Sequence, residues 1–356
     1  MAETALATTL SHEIALIRFS RSLGRDAQPH IDAIMKVLRE ELLSTDTIPT
    51  KKRRDELIAL VNELIGVELG GWSEELESEL VALAKEEARF HQAALSNLVG
   101  QKIARPTLES ITKTAFNTEM VLNGQAYTVD ERIKNFNANS VDRIKRIITG
   151  GWRDGLTTYE MSQQIMGRQN SSISNQMRKG AFTLSKDVTS HISSTAKTSV
   201  GMANQDVVIG ERIVTTLDSR TSPICQNYGS QDGGGKKFYY AKDGFNFPRP
   251  PFHWNCRSSM SFLLSDEFEE LEEPRTRPSV VDGKAKRVDS NKGWLELAKE
   301  NPNLARESLG EEKAKLLDNM SPEEFRKLAY DRLGNPITLD QLVSKSKKAA
   351  RILKRD

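Results

Sequence analysis

A chain of 356 residues is too long for a disulfide-stapled miniprotein and long enough for two or three domains that each bury a core. Its balance of 28% charged, 37% apolar and only 6% aromatic residues points to an elongated or assembly-dependent protein more than to a catalytic globule. The formal charge of +2 is too small to announce nucleic-acid binding, although residues 101–200 carry 14 Lys/Arg against 8 Asp/Glu, a local +6, and "DEFEELEE" from Asp266 to Glu273 is strongly acidic. No window approaches the roughly 18 consecutive apolar residues of a membrane span. The first residues lack the basic and apolar segments of a signal peptide, so a soluble protein made without export is expected.

The first hundred residues read as helices. "KKRRDELIALVNELIGVELGG" is one, ended by Gly70-Gly71; "SEELESELVALAKEEARFHQAAL" begins another at Ser73, a good N-cap, with Leu76, Leu80 and Leu83 on one stripe. His12, His30 and His91 fall on these helices without ligand spacing and read as ordinary surface or core histidines. In "NSVDRIKRIITGGWRDGLTTYEMSQQIMG", Ser140 is expected as an N-cap and Gly150-Gly151 as a stop, followed by a short helix with Thr157 and Glu160 as a capping box. A longer helix then carries Leu184, Val188, Ile192, Ala196 and Val200 at four-residue intervals, the pattern of helix packing.

The character changes after Gly210. "RIVTTL", "KKFYYA" and "RSSMSFLL" read as three strands, separated by Gly233-Gly234-Gly235 and the proline-dense "FPRPPFHWNC". Beyond the acidic run, "EPRTRPSVVDG" reads as a linker, and helices return before a basic tail. The expected fold is mainly α with a small α+β module. The regions are an extended helical N-terminal region (1–104), helices leading into the module (105–205), a compact β-containing Cys/His module (206–264), and an acidic linker with C-terminal helices and tail (265–356).

Cys225 and Cys256 are the only cysteines, too few for a disulfide framework and in keeping with a reducing cytosol. Together with His253 they are the one group clustered like metal ligands, His253 and Cys256 being separated by two residues, a spacing that lets both face one ion from a tight turn. A zinc site would need a fourth ligand, for which Asp218, Asp232, Asp243 and water are the candidates. The alternatives are a buried, metal-free core cluster, a Cys225–His253 nucleophile pair, and a Cys225–Cys256 disulfide formed outside the cell. In "DSRTSP", Asp218 is placed to form an Asx-turn, Arg220 to bridge a carboxylate or loop carbonyls, and Pro223 to fix the backbone where the next element begins; with Thr221 they read as a structural staple.

"RIVTTLDSRTSPIC", a glycine-rich spacer and "FPRPPFHWNCRSSM" resemble the Mu F-like head-morphogenesis family, the minor head proteins of tailed bacteriophages. The matching positions are Asp218, Arg220, Thr221, Cys225, Pro251, His253, Cys256 and Arg257, and the likeness spans about residues 140–264. Two departures stand out. "STAKTS" at 194–199 replaces the family's frequent Ala-Arg-Thr-Glu, and no further cysteine follows Arg257, which weakens the case for a closed metal site.

The resemblance implies a non-enzymatic minor capsid protein. It would be made in the host cytoplasm and reside in the virion head near the portal vertex, with the portal protein and other head proteins as partners and a role in packaging or ejection of double-stranded DNA. The competing readings are a phage-borne enzyme or toxin using Cys225 and His253, and a zinc-type nucleic-acid binder. The tail residues Lys345, Lys347, Lys348, Arg351, Lys354 and Arg355 are candidate DNA contacts, against the commoner solvated end. The helices before Gly210 have few aromatics, so their stripes are expected to be buried against a partner, the portal ring in that family.

Overall fold

A computed structural model of the chain describes residues 4–272 and 274–353. Two long helices, α1 (Ala5–Leu42) and α2 (Lys51–Val99), run antiparallel, as the pairs His12–Glu87, His30–Glu68 and Glu41–Arg53 along them require. After α3 (Leu108–Asn117), strands β1 (Met120–Leu122) and β2 (Gln125–Tyr127) form a small hairpin. Helices α4 (Val129–Asp154), α5 (Thr158–Met166) and α6 (Ile173–Met202) follow, and α6 packs against α1, α2, α3 and α4.

The module contains β3 (Val208–Val214), α7 (Pro223–Tyr228), β4 (Lys237–Tyr239), α8 (Tyr240–Asp243) and β5 (Ser259–Leu264), with its antiparallel sheet ordered β4-β3-β5. A 3₁₀ turn (Asp266–Leu271) leads to the hairpin β6 (Thr276–Val281) and β7 (Lys284–Asp289). The chain closes with α9 (Trp294–Glu300), α10 (Pro302–Leu309), α11 (Glu311–Asp318), α12 (Pro322–Ala329), α13 (Leu339–Lys345) and α14 (Lys347–Leu353). The protein is therefore mainly helical with a small α+β module, as the sequence indicates.

One hydrophobic core runs without a break from Ala5 to Phe268, so helices and module share it. A second is built from Leu217, Val281, Trp294, Phe325, Leu342 and their neighbours. The stripe Leu184, Val188, Ile192, Ala196 and Val200 is wholly buried inside the first core. This corrects the expectation that it needs a partner: α1 and α2 pack on α6, and each Leu, Val or Ile of the stripe contributes about 1.5–3 kcal/mol by leaving water.

Other expectations are corrected by packing. Helix α2 passes straight through Gly70-Gly71, because Leu69, Trp72 and Leu76 continue one buried face and outweigh the intrinsic cost of about 1 kcal/mol per glycine. Ser140 is no N-cap: it lies within α4 and its hydroxyl bonds back to the Phe136 carbonyl. The true start of α4 is a Thr128/Glu131 capping box, and its end is Gly155 at φ +70, so Gly150-Gly151 is not a stop. The Thr157/Glu160 box does open α5. "EPRTRPSVVDG" holds strand β6, not a linker. Asp282-Gly283, both at positive φ, makes a two-residue turn into β7, and Asn123-Gly124 does the same between β1 and β2.

Candidate metal centre

Three side chains from two segments meet at the module's heart. Pro223 occupies the first turn of α7, where its fixed φ suits a helix start, and two residues on α7 presents Cys225. The second segment is the tight turn 253–256, closed by the Cys256 N–H donating to the His253 carbonyl at 3.1 Å, which puts both side chains on one side. Asn255 sits in this turn at φ +60, and α6 holds it there. Its N–H donates to Asp187 Oδ1 at 3.0 Å, its carbonyl accepts from Lys186 Nζ at 2.8 Å, and its amide donates to Thr183 Oγ1 at 3.0 Å.

Cys225 Sγ lies 3.3 Å from His253 Nε2 and 3.8 Å from Cys256 Sγ, and the Ser258 hydroxyl donates to it at 3.1 Å. Both cysteines are buried free thiols and His253 is half-buried. His253 Nδ1 faces the Trp254 carbonyl at 2.9 Å, which fixes the ring and aims Nε2 at the sulfurs.

The electrostatics divide the two cysteines. Burial opposes ionisation of Cys256, but hydrogen bonds from Cys225 and His253 overcome it and hold Cys256 well below the usual thiol range. Donation to Cys256, reinforced by burial, pushes Cys225 well above that range. Burial works against a charged His253, and the Cys256 thiolate prevails in raising it. The two shifts favour a proton on His253 and negative charge on Cys256, and a metal ion would displace the protons and bring both sulfurs to the thiolate form. Two sulfurs and one imidazole so placed can hold an ion, whereas neither buried sulfur is presented to solvent as a nucleophile.

Asp218 is not a fourth ligand. Arg257 grips both its oxygens, at 2.6 and 2.8 Å, and holds its carboxyl below the usual range against the effect of burial. It forms the expected Asx-turn, accepting from the Arg220 N–H at 3.0 Å, and the Thr221 hydroxyl lies 3.1 Å from Asp218 Oδ1 and 2.8 Å from the Thr216 carbonyl. The arginine that grips this carboxylate is therefore Arg257, while the Arg220 side chain, 81% exposed, reaches Asp218 no closer than 4.0 Å. Asp232 and Asp243 instead accept backbone N–H groups of Lys237 and Tyr239, at 3.0 and 2.8 Å. The Asp218 carbonyl also accepts from Trp294 Nε1 at 3.0 Å, tying the turn to the second core.

Sequence reasoning missed Asp187, Ser258 and Trp294. Asp187 alone left a signal, an acid inside the apolar stripe between Leu184 and Val188; burial pushes it up to about 7, with Arg132 opposing. It also missed a second group. His12 and His91, read as ordinary, meet at Glu87 across α1 and α2. In the tail, Lys345, Lys347, Lys348 and Arg351 are exposed and Lys348 pairs with Glu324 at 2.8 Å, while Lys354 and Arg355 lie outside the described residues. No helix among the described residues is long and apolar enough to cross a membrane. Compared with known protein families, with characterised proteins and with solved structures, the chain matches none.

Proposed function

We propose that this chain is a structural minor head protein of a tailed bacteriophage, seated at the portal vertex and acting in head assembly and in packaging or ejection of DNA. The observation that carries this reading is that the residues of the Mu F-like pattern are engaged with one another. Asp218 is clamped by Arg257, and Cys225 meets His253 and Cys256 across the spacer. These contacts are cross-ties in a largely buried knot, which favours scaffolding over chemistry. Against an enzyme or toxin built on Cys225 and His253 stands the burial of both sulfurs. Against a zinc-type nucleic-acid binder stands the pairing of Lys236 with Asp232 in the spacer.

Within this reading the ion held by Cys225, His253 and Cys256 is zinc, with water as fourth ligand, and its contribution is to lock two distant segments rather than to activate a substrate. Quantitative mass spectrometry of purified particles tests the function: a few copies per particle are expected, and absence from particles overturns it. Metal analysis tests the ion: close to one zinc per chain is expected, lost in Cys256→Ser with unfolding of the module. Metal-free protein with unchanged melting would leave a bare core cluster.

A further inference from the structure

We propose that His12, Glu87 and His91 form a second site, for a divalent first-row transition metal, that pins α1 to α2. The inference does not depend on the head-protein reading. Glu87 and His91 are four residues apart on α2 and so share a face, and the antiparallel course of α1 brings His12 opposite them. One ligand atom from each residue can be chosen so that all three lie within 4.8 Å of one another.

The details of the cluster favour an ion over a closed hydrogen-bond network. His12 Nε2 lies 2.7 and 3.0 Å from the two Glu87 oxygens. His91 Nε2, in contrast, has only the long contact to Glu87 Oε2, 3.4 Å and poorly aligned for a hydrogen bond, and finds no better partner although its side chain is only 4% exposed. An orphaned nitrogen at that depth costs on the order of 1–3 kcal/mol, and coordination would satisfy it.

The surroundings hold the ligands in place. Ser193 of α6 donates to Glu87 Oε2, Phe90 stacks on the His12 ring at 3.7 Å between centroids, and Phe262 of β5 sits edge-on to His91 at 6.2 Å. Two imidazoles and a carboxylate suit zinc, cobalt or iron(II) rather than magnesium or calcium, which prefer oxygen donors. Three protein ligands leave a coordination position open, and His12, 15% exposed, marks the side facing solvent. Lys197, bonded to the Met260 carbonyl, opposes the charge of an ion here when protonated, and burial weakens that charge; Glu13, which burial pushes up to about 7, offsets it in its ionised form.

The test uses the untagged full chain, stripped of metal and titrated with cobalt(II). Cobalt at the Cys225 centre gives sulfur-to-metal charge-transfer absorption, and cobalt at this site gives only ligand-field bands. The expected result is one equivalent lacking the charge-transfer signature, lost in His12→Gln and Glu87→Gln and bound about 10-fold more weakly in Ser193→Ala. Cobalt should also raise the melting temperature through this site, an increase absent in His12→Gln. A wild-type chain that binds no such equivalent, or one that persists in His12→Gln, overturns the proposal. Should Glu87→Gln fail to fold, His12→Gln decides, because its side chain lies at the edge of the cluster.

Discussion

At the scale of single residues, the module is held by charge placed against burial. The Arg257–Asp218 pair is bidentate, with the two side chains 25% and 11% exposed, so removing one partner strands a largely desolvated charge. Asp218→Asn is expected to cost about 2 kcal/mol in urea unfolding. Arg257→Lys should cost less, since an ammonium keeps one of the two bonds. His191 sets a pH dependence. Its Nε2–H donates to the Ala115 carbonyl at 3.0 Å, and burial holds it down at about 4 from an ordinary 6.5. The unfolded chain takes up that proton first. The contribution is therefore complete above pH 6.5 and disappears as the pH falls through about 4. His191→Gln keeps the bond to Ala115 but cannot ionise. Relative to it, wild type should lose up to about 3 kcal/mol over that window, and equal slopes in pH-dependent unfolding would refute the assignment.

At the scale of elements, two glycines separate local preference from packing. Gly70 lies inside α2 with nothing within 4 Å of an added methyl, so Gly70→Ala should stabilise the protein by about 0.5–1 kcal/mol. A helix that really ended there would show no gain, which makes thermal melting of this variant a direct check on the continuity of α2. Gly210, in β3, is the opposite case: an added methyl would lie 2.0 Å from the Phe238 carbonyl oxygen of β4. Gly210→Ala should break that pairing and cost about 2 kcal/mol or more, with faster amide exchange along β4 as the readout.

At the scale of the whole molecule, the shared core decides which experiments are informative. Val188→Asp puts an unpaired charge at a position with no exposure, so loss of the cooperative fold is expected in circular dichroism, and the variant cannot report on docking. Deleting residues 345–356 to test DNA contact has the same weakness. Ala349 of α14 is fully buried in the second core, with Ile352 and Leu353 packed on it. Replacing Lys345, Lys347 and Arg351 by Gln leaves that packing intact. If the tail touches DNA, this variant should bind more weakly and with a salt dependence shallower by about 2–3 in logarithmic slope. Equal binding would remove the tail from the interface.

Much of this was written locally in the chain. The helical periodicity, the three module strands, the Thr157 capping box and the Cys225, His253, Cys256 grouping were all legible, because each depends on near neighbours or on rare residue types at short spacing. The Asn123-Gly124 and Asp282-Gly283 turns were equally local signals, and they specify hairpins, the first in a region read as helical and the second in one read as linker. Other features belong to the tertiary structure. Gly70-Gly71 stays helical because a buried face continues through it. Asp218 goes to Arg257 and not to a metal because the turn brings a guanidinium to both its oxygens. His12 reaches His91 because two long helices run antiparallel, placing residues 79 positions apart in contact. Spacing along the chain predicts partners only within a turn or two of an element. Beyond that range, the burial of shared surface chooses them.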